Sequence, residues 1–292
     1  MITSPASRRS VIASWCANLL FAGLLTSAPA LAELPRAASV PGGVALVPLG
    51  PRVTGEEQRP RAWLGEQQVF VAANGNEWVA VVGLALDTFP GTYALRVEGA
   101  DDSRRVDFTV ANKTYPEQRI TLKDTRKVEL SPSDLARVES ELAVIRQLKQ
   151  HWRDSSDTDT DFVLPAHGRL TGRFGVRRFF NGEPRSPHAG FDIAAPRGSV
   201  VRSNTHGIVL AVGDYFFNGK TVFVDHGNGL ISMYCHLDDF AVETGASVSK
   251  GQRLGSSGMT GRATGPHLHW SVILNGAMVD PELFIKRLAT AR

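Results

Sequence analysis

Cysteine is nearly absent from this 292-residue chain; Cys16 and Cys235 are the only two. Cys16 falls in an N-terminal segment expected to be removed. One thiol then remains, no intramolecular disulfide can form, and stability must come from a core or a metal. Net charge is also missing. The formal balance is +3, with 32 Lys and Arg against 29 Asp and Glu, and losing Arg8 and Arg9 leaves 30 against 29. With no basic stripe interleaved with aromatics, nucleic acid is not an expected partner. Long apolar runs are lacking too, so the mature chain has no expected stable membrane span. No histidine occurs before His151, which leaves the first half without that chemistry. There is no H-E-x-x-H helix, so no glutamate sits as base in the familiar zinc-protease manner. What remains is ordinary: 42% apolar and 21% charged residues, enough chain for two globular domains.

The N-terminus has the order of an export signal. Arg8-Arg9 form a basic start, Val11 to Leu25 an apolar run, and Ala30-Leu31-Ala32 a small-residue processing site. Cleavage is predicted after Ala32, giving an exported protein. Cys16 lacks the small-residue context of lipid attachment.

From residue 33 to 115 short apolar runs alternate with turns. Val44 to Leu49, Val69-Phe70-Val71, Trp78 to Leu86, Tyr93 to Val97 and Val106 to Val110 read as strands. Asn74-Gly75-Asn76, Pro90-Gly91 and Gly99 to Asp102 read as turns between them. The spacing predicts a small β-sandwich-like module without chemistry of its own. A linker follows over 116–164, carrying one predicted helix at 131–152. Ser131 suits its N-cap and Pro132 its first turn. Leu135, Val138, Leu142, Ile145, Leu148 and Trp152 form a stripe at helical spacing, expected to pack on a domain. Asp154 to Asp161 alternates carboxylates, but it lacks the glycine and distal glutamate of a calcium loop and is expected to be a solvated acidic loop.

From about 165 to 285 glycine is dense, strands are short and helix signals nearly vanish. An antiparallel all-β domain with an open groove is predicted, followed by a short tail at 286–292. Six of the eight histidines fall between His188 and His269. His188 and Asp192 are four apart; on an extended strand they would lie about 13 Å apart, so a bend at Gly190 is needed to bring them to one metal. Tyr234-Cys235-His236 ends a second strand, with His236 expected to face away from Cys235. His267 and His269 share one strand face, with Leu268 and Trp270 turned into packing. Four histidines and one aspartate from three segments fit zinc, which takes imidazole and carboxylate ligands and keeps an open position in catalytic sites. Five groups exceed a structural tetrahedral set, and a histidine suits the proton handling.

These segments resemble the M23 (LytM or lysostaphin-type) zinc peptidases. The matching text is Arg173-Phe-Gly175, His188-x-x-x-Asp192, Gly207-x-Val209, Asp225-His-Gly227, Tyr234-Cys-His-Leu237, Val248-Ser-Lys-Gly251, Gly258-Met-Thr-Gly261 and Gly265-Pro-His-Leu-His-Trp270. Tyr115-Pro-Glu-Gln-Arg119 resembles the N-terminal module of periplasmic Gram-negative members. The resemblance implies one Zn2+ per chain held by His188, Asp192 and His269, and catalytic roles for His236 and His267. It implies a metalloendopeptidase that cuts peptide cross-links of peptidoglycan; the alternative is a non-catalytic regulator of other wall hydrolases. A regulatory protein partner acting through the N-terminal module is a further expectation. Some members carry an oxyanion-stabilising tyrosine before the first ligand pair. Here that stretch reads Arg177-Arg-Phe-Phe-Asn-Gly182, which leaves the role to His236, His267 or Arg177. A carrier-domain reading of Val248-Ser-Lys250-Gly251 lacks the acidic, hydrophobic frame of a modified lysine.

Overall fold

The computed structural model describes Met1 and residues 33–52, 58–99, 103–121 and 130–286. The predicted signal peptide and its processing site lie outside these residues. The described residues from Glu33 onward group into one compact unit.

The first half builds one sheet from β1 (Val44–Pro51), β2 (Arg61–Leu64), β3 (Gln67–Asn74), β4 (Glu77–Gly83), β5 (Gly91–Glu98) and β6 (Ser103–Val110), in the order β1-β4-β3-β2-β5-β6. Strand β3 is shared. Its first residues pair with β2 and its remainder with β4, so the sheet folds into two halves. The Arg104 guanidinium closes the roll by donating to the Leu49 carbonyl of β1. Gly75, at a φ of 60° between β3 and β4, takes the left-handed turn that Asn74-Gly75-Asn76 predicted.

Both faces of β1, β3 and β4 are buried, which explains their unbroken apolar runs. Ala45, Val47, Val69, Val71, Ala80 and Val82 fill the inside of the roll. Their alternates, Val44, Phe70, Ala72 and Val81, join the core of the second half. The two halves therefore share a core.

Between them run β7 (Glu117–Ile120) and α1 (Pro132–Lys149). Ser131 caps the helix, its Oγ accepting from the Asp134 amide at 3.1 Å. The predicted stripe is only partly used. Val138 is buried, and Ile145 and Leu148 pack against Tyr215, Phe223 and Met233. Leu135 and Leu142 are exposed, and Trp152 lies past the helix end. No helix among the described residues is long and apolar enough to cross a membrane.

The acidic stretch differs from expectation in part: Asp154 and Asp157 stay exposed, whereas Asp159 and Asp161 find distant cations. Lys250 Nζ lies 3.2 Å from Asp159 and 3.3 Å from Asp161, and Lys286 lies 3.2 Å from Asp161. Ser155, Thr158 and Thr160 are buried. The stretch is a clamped strap, and Lys250 is committed to it.

The second half comprises β8 (Arg169–Gly172), β9 (Arg177–Phe180), β10 (Glu183–Pro184), β11 (Phe191–Ala194), β12 (Val200–Arg202), β13 (Gly207–Tyr215), β14 (Gly219–Asp225), β15 (Leu230–Phe240), β16 (Ser247–Val248), β17 (Arg253–Ser257), β18 (Leu268–Leu274) and β19 (Ala277–Val279). The main sheet runs β16-β13-β14-β15-β18-β11-β8, all antiparallel. Strand β9 pairs with β10 and, in parallel, with β7. One face of the main sheet carries Phe191, Ile193, Tyr234, Leu237, Leu268, Trp270 and Val272 into the shared core. The other carries Phe223, Ile231, Met233, Cys235 and Ile273 beneath the helix. The functional groups stand on this second face. Asn275 and Gly276, at φ values of 43° and 81°, form the tight hairpin from β18 to β19. The buried Asn275 amide bridges back to the first sheet: Oδ1 accepts from the Gly83 amide at 2.6 Å, and Nδ2 donates to its carbonyl at 3.1 Å.

Candidate metal centre

Three neighbouring strands bring the ligand candidates together. Asp192 of β11 lies directly opposite His269 of β18, and the β11–β18 register puts Phe191 against Trp270. The chain bends at Gly190, and this folds His188 back over Asp192. A Cβ at residue 190 would stand 2.5 Å from Ser271 Oγ and from the Trp270 carbonyl, so only glycine permits the approach. Gly172 of β8 makes similar room, since a Cβ there would come within 2.2 Å of Asp192 Oδ2.

The ligand atoms converge. His188 Nε2 is 3.0 Å from Asp192 Oδ1 and 3.1 Å from His269 Nδ1, and His269 Nδ1 is 2.9 Å from Asp192 Oδ1. His188, Asp192 and His269 offer three ligand atoms within 4.8 Å of one another. The far side of the His188 ring is fixed: Nδ1 lies 2.8 Å from the Arg173 carbonyl, which can only accept, so Nδ1 carries the proton. The Nε2 lone pair then faces a carboxylate oxygen and a second ring nitrogen. One proton on His269 cannot satisfy all three atoms, whereas a cation can. His269 has its own outer partner, Ser271 Oγ, 2.9 Å from Nε2. A two-histidine, one-carboxylate set with outer partners is the donor chemistry of a zinc site, so these residues fit that ion. Burial alone would raise the Asp192 carboxyl; its contacts with the His188 and His269 rings hold it well below the usual carboxylate range.

Two further rings border the cluster. His267 Nε2 is 3.8 Å from Asp192 Oδ1, and its Nδ1–H donates to the Gly265 carbonyl at 2.8 Å. The His236 ring lies 4.7 Å from that of His267 and 6.1 Å from that of His269. His236 Nδ1–H donates to the Thr260 carbonyl at 2.8 Å. In both rings Nε2 is left with an unprotonated lone pair. Burial, then the charge of His269, pushes His236 down to about 4.

His236 reaches this face through a β-bulge. Val222 opposes Tyr234 and Lys220 opposes Leu237, so Cys235 and His236 together face one residue of β14. His236 has a φ of 62°, a strained conformation for a histidine. Simple alternation would turn it away from Cys235. Instead the bulge places both on the side of His269, a correction to the expected opposite facing. Cys235 is fully buried there, and burial pushes its thiol up to about 12, so it is an inert packing group.

Arg177, one candidate for the missing tyrosine's role, pairs with Glu117 at 3.3 Å. Its neighbour Arg178 is the one beside the centre, with Nη2 3.6 Å from Asp192 Oδ2. Sequence reasoning missed Arg178 and Ser271, although Ser271 stands two residues beyond His269, on the same strand face. The remaining histidines stand apart. His226 is buried between the His206 carbonyl and Ser232 Oγ, His206 binds the strap at the Asp157 carbonyl, and His151 faces Asp225.

An antiparallel β domain with this donor set is the arrangement of a metallopeptidase. Comparison narrows the class. The profile of Peptidase family M23 matches residues 186–281, and that of the Peptidase family M23 N-terminal domain matches residues 37–113. A crystal structure of a putative peptidase M23 from Pseudomonas aeruginosa is 40% identical, superposes with a TM-score of 0.71, and aligns over 85% of this chain and 95% of that one. The chain belongs to peptidase family M23. Peptidoglycan DD-endopeptidase ShyA of Vibrio cholerae is 40% identical over 120 residues, 41% of this chain and 28% of that protein. DD-carboxypeptidase/endopeptidase Mpg of Neisseria meningitidis is 37% identical over 113 residues, 39% of this chain and 26% of that protein. The chain thus aligns with about a quarter of the length of these two relatives.

Proposed function

We propose that the chain is a zinc endopeptidase hydrolysing peptide cross-links of bacterial peptidoglycan. The observation that carries this reading is the convergence of His188, Asp192 and His269 with two unprotonated ring nitrogens, those of His236 and His267, beside them. The endopeptidase names of the relatives support the substrate class. His188, Asp192 and His269 hold one zinc ion. When bound, zinc supplies a Lewis acid that polarises the scissile carbonyl and makes its water acidic. His236 and His267 Nε2 orient the attacking water, take its proton and return it to the leaving amine, while their positions favour the developing oxyanion. The complete five-residue set speaks against a purely regulatory relative.

The same reading divides the chain into a signal peptide ending at Ala32, an N-terminal module over 33–115, a helical linker over 116–164, the peptidase domain over 165–285 and a tail. It places the mature protein in the periplasm, with the module available to a regulatory partner. Metal analysis with a wall-digestion assay tests the chemistry. Wild type should hold one zinc and solubilise wall material. His269→Ala should lose both properties, and His267→Ala should keep zinc and lose turnover. Zinc-free wild type, or full hydrolysis by His269→Ala, defeats the enzyme reading. Equal zinc loss in His267→Ala defeats the division of roles.

A further inference from the structure

Beside the metal-ligand cluster stands a group of arginines with too few carboxylates. Arg178, on β9, reaches Asp192 Oδ2 at 3.6 Å, and its buried Nε has no hydrogen-bond partner. Arg185 closes the β9–β10 hairpin, its amide donating to the Arg178 carbonyl at 2.8 Å. Arg262 comes from a separate segment, its amide donating to the Phe217 carbonyl at 3.0 Å. It follows Thr260, whose carbonyl holds His236, and its guanidinium lies 4.1 Å from the Phe217 ring centroid. Arg185 follows the β9–β10 pairing of Glu183 with Phe180 and Pro184 with Phe179, which sets it across the hairpin from Arg178 on the same face. Burial lowers the Arg262 guanidinium, and the charges of Arg185 and Arg178 lower it further. The neighbouring Arg119 and Arg177 are accounted for by Glu117, at 3.0 and 3.3 Å. No carboxylate among the described residues pairs with Arg185 or Arg262, and the one carboxylate near Arg178, that of Asp192, faces it through Oδ2 while its Oδ1 faces two histidines.

Crowded like charges are unfavourable unless an anion joins them. Guanidinium forks match a carboxylate, accepting it through two parallel N–H donors. We propose that Arg178, Arg185 and Arg262 form a rim that takes a carboxylate of the peptide substrate next to the scissile bond. This rests on the peptide-hydrolase reading and adds to it a specificity: the centre prefers a peptide carrying a free carboxylate at that position. Arg178 contacts both this carboxylate and Asp192. Of the three, Arg178 alone also touches a proposed metal ligand.

The test uses the zinc-loaded chain and two synthetic cross-link peptides, one with a free carboxylate beside the scissile bond and one with a carboxamide there. A charge-assisted pair is worth about 10- to 100-fold, so wild type should favour the carboxylate peptide by that factor in kcat/KM. The preference should collapse toward unity in Arg185→Gln/Arg262→Gln, with zinc content unchanged. The single variant Arg262→Gln should show an intermediate ratio and guards against a double variant that misfolds. A wild type that cuts both peptides equally overturns the rim, as does a double variant that keeps the full preference. If wild type cuts neither, the peptidase reading fails, and calorimetric binding of the two peptides still decides the rim. Equal affinities overturn it; a preference for the carboxylate that the double variant loses sustains it.

Discussion

Replacing Gly172 by alanine should separate metal binding from folding. The added Cβ would stand 2.2 Å from Asp192 Oδ2, 2.7 Å from its Cγ and 3.0 Å from its Cβ, and these are its three nearest atoms. An ordinary contact needs about 3.4 Å or more, so Oδ2 must retreat by about 1 Å. Retreat is possible only by turning the carboxylate, which moves Oδ1 away from His188 Nε2 and His269 Nδ1, now 3.0 and 2.9 Å away. Disturbing a ligand's surroundings costs about 10- to 100-fold in metal affinity, or about 1.4–2.7 kcal/mol. The backbone at Gly172 has no left-handed φ. Alanine therefore fits the chain itself, and relief of unfolded-state entropy favours it by about 0.4–1 kcal/mol. The metal-free variant should melt close to metal-free wild type, while a chromophoric chelator should strip its zinc at about 10- to 100-fold lower competitor concentration. Gly265→Ala is the control, because a Cβ there meets nothing within 4 Å. Wild-type zinc affinity in Gly172→Ala would refute the assignment of Asp192 as a crowded ligand. A large loss of metal-free stability would refute the separation.

Two further predictions concern the scaffold. His226 is fully buried and its pKa is pushed down to about 4 by burial. Between its unfolded value near 6.5 and about 4, the unfolded chain binds a proton that the native state refuses, so stability falls on acidification through that window, by up to about 3 kcal/mol. His226→Gln should flatten this slope in denaturant titrations at pH 7 and 4.5, and parallel slopes would contradict it. Asn275→Gly keeps the left-handed turn but strips the Gly83 amide and carbonyl of their partners, and should cost about 1–3 kcal/mol by denaturant unfolding. Asn275→Ala should cost about 1 kcal/mol more, for its backbone strain. A loss below about 0.5 kcal/mol in both would show that the bridge between the sheets is energetically idle.

Much of the fold was written locally. Alternation marked β5 and β6, the Asn74-Gly75-Asn76 turn marked a hairpin, and Ser131-Pro132 marked the start of α1. The candidate site residues were legible because His188-x-x-x-Asp192 and His267-x-His269 are short patterns of reactive residues. What escaped depended on partners far along the chain. The acidic stretch could not announce Lys250 and Lys286 as its counterions. The Asn275-Gly276 hairpin signal was present, but its bridge to Gly83 spans 192 residues. Arg178 differs from Arg177 only in which way its strand residue points, and β9 is placed by pairing with β7 rather than by its own pattern. The facing of His236 was misread because alternation fails wherever a strand carries one extra residue.

The outer partners of the four rings are of two kinds, and the difference decides where a proton can go. Three rings end on carbonyls, those of Arg173, Thr260 and Gly265, which lock a single tautomer. His269 ends on the Ser271 hydroxyl, which can accept from Nε2 or donate to it by a rotation about its own C–O bond. Its imidazole can thus exchange which nitrogen bears hydrogen while every outer hydrogen bond is kept. Nδ1 can thus be freed toward Asp192 and His188 without breaking the hydrogen bond to Ser271. His269 is the one adjustable ring in a centre whose other rings are fixed in advance.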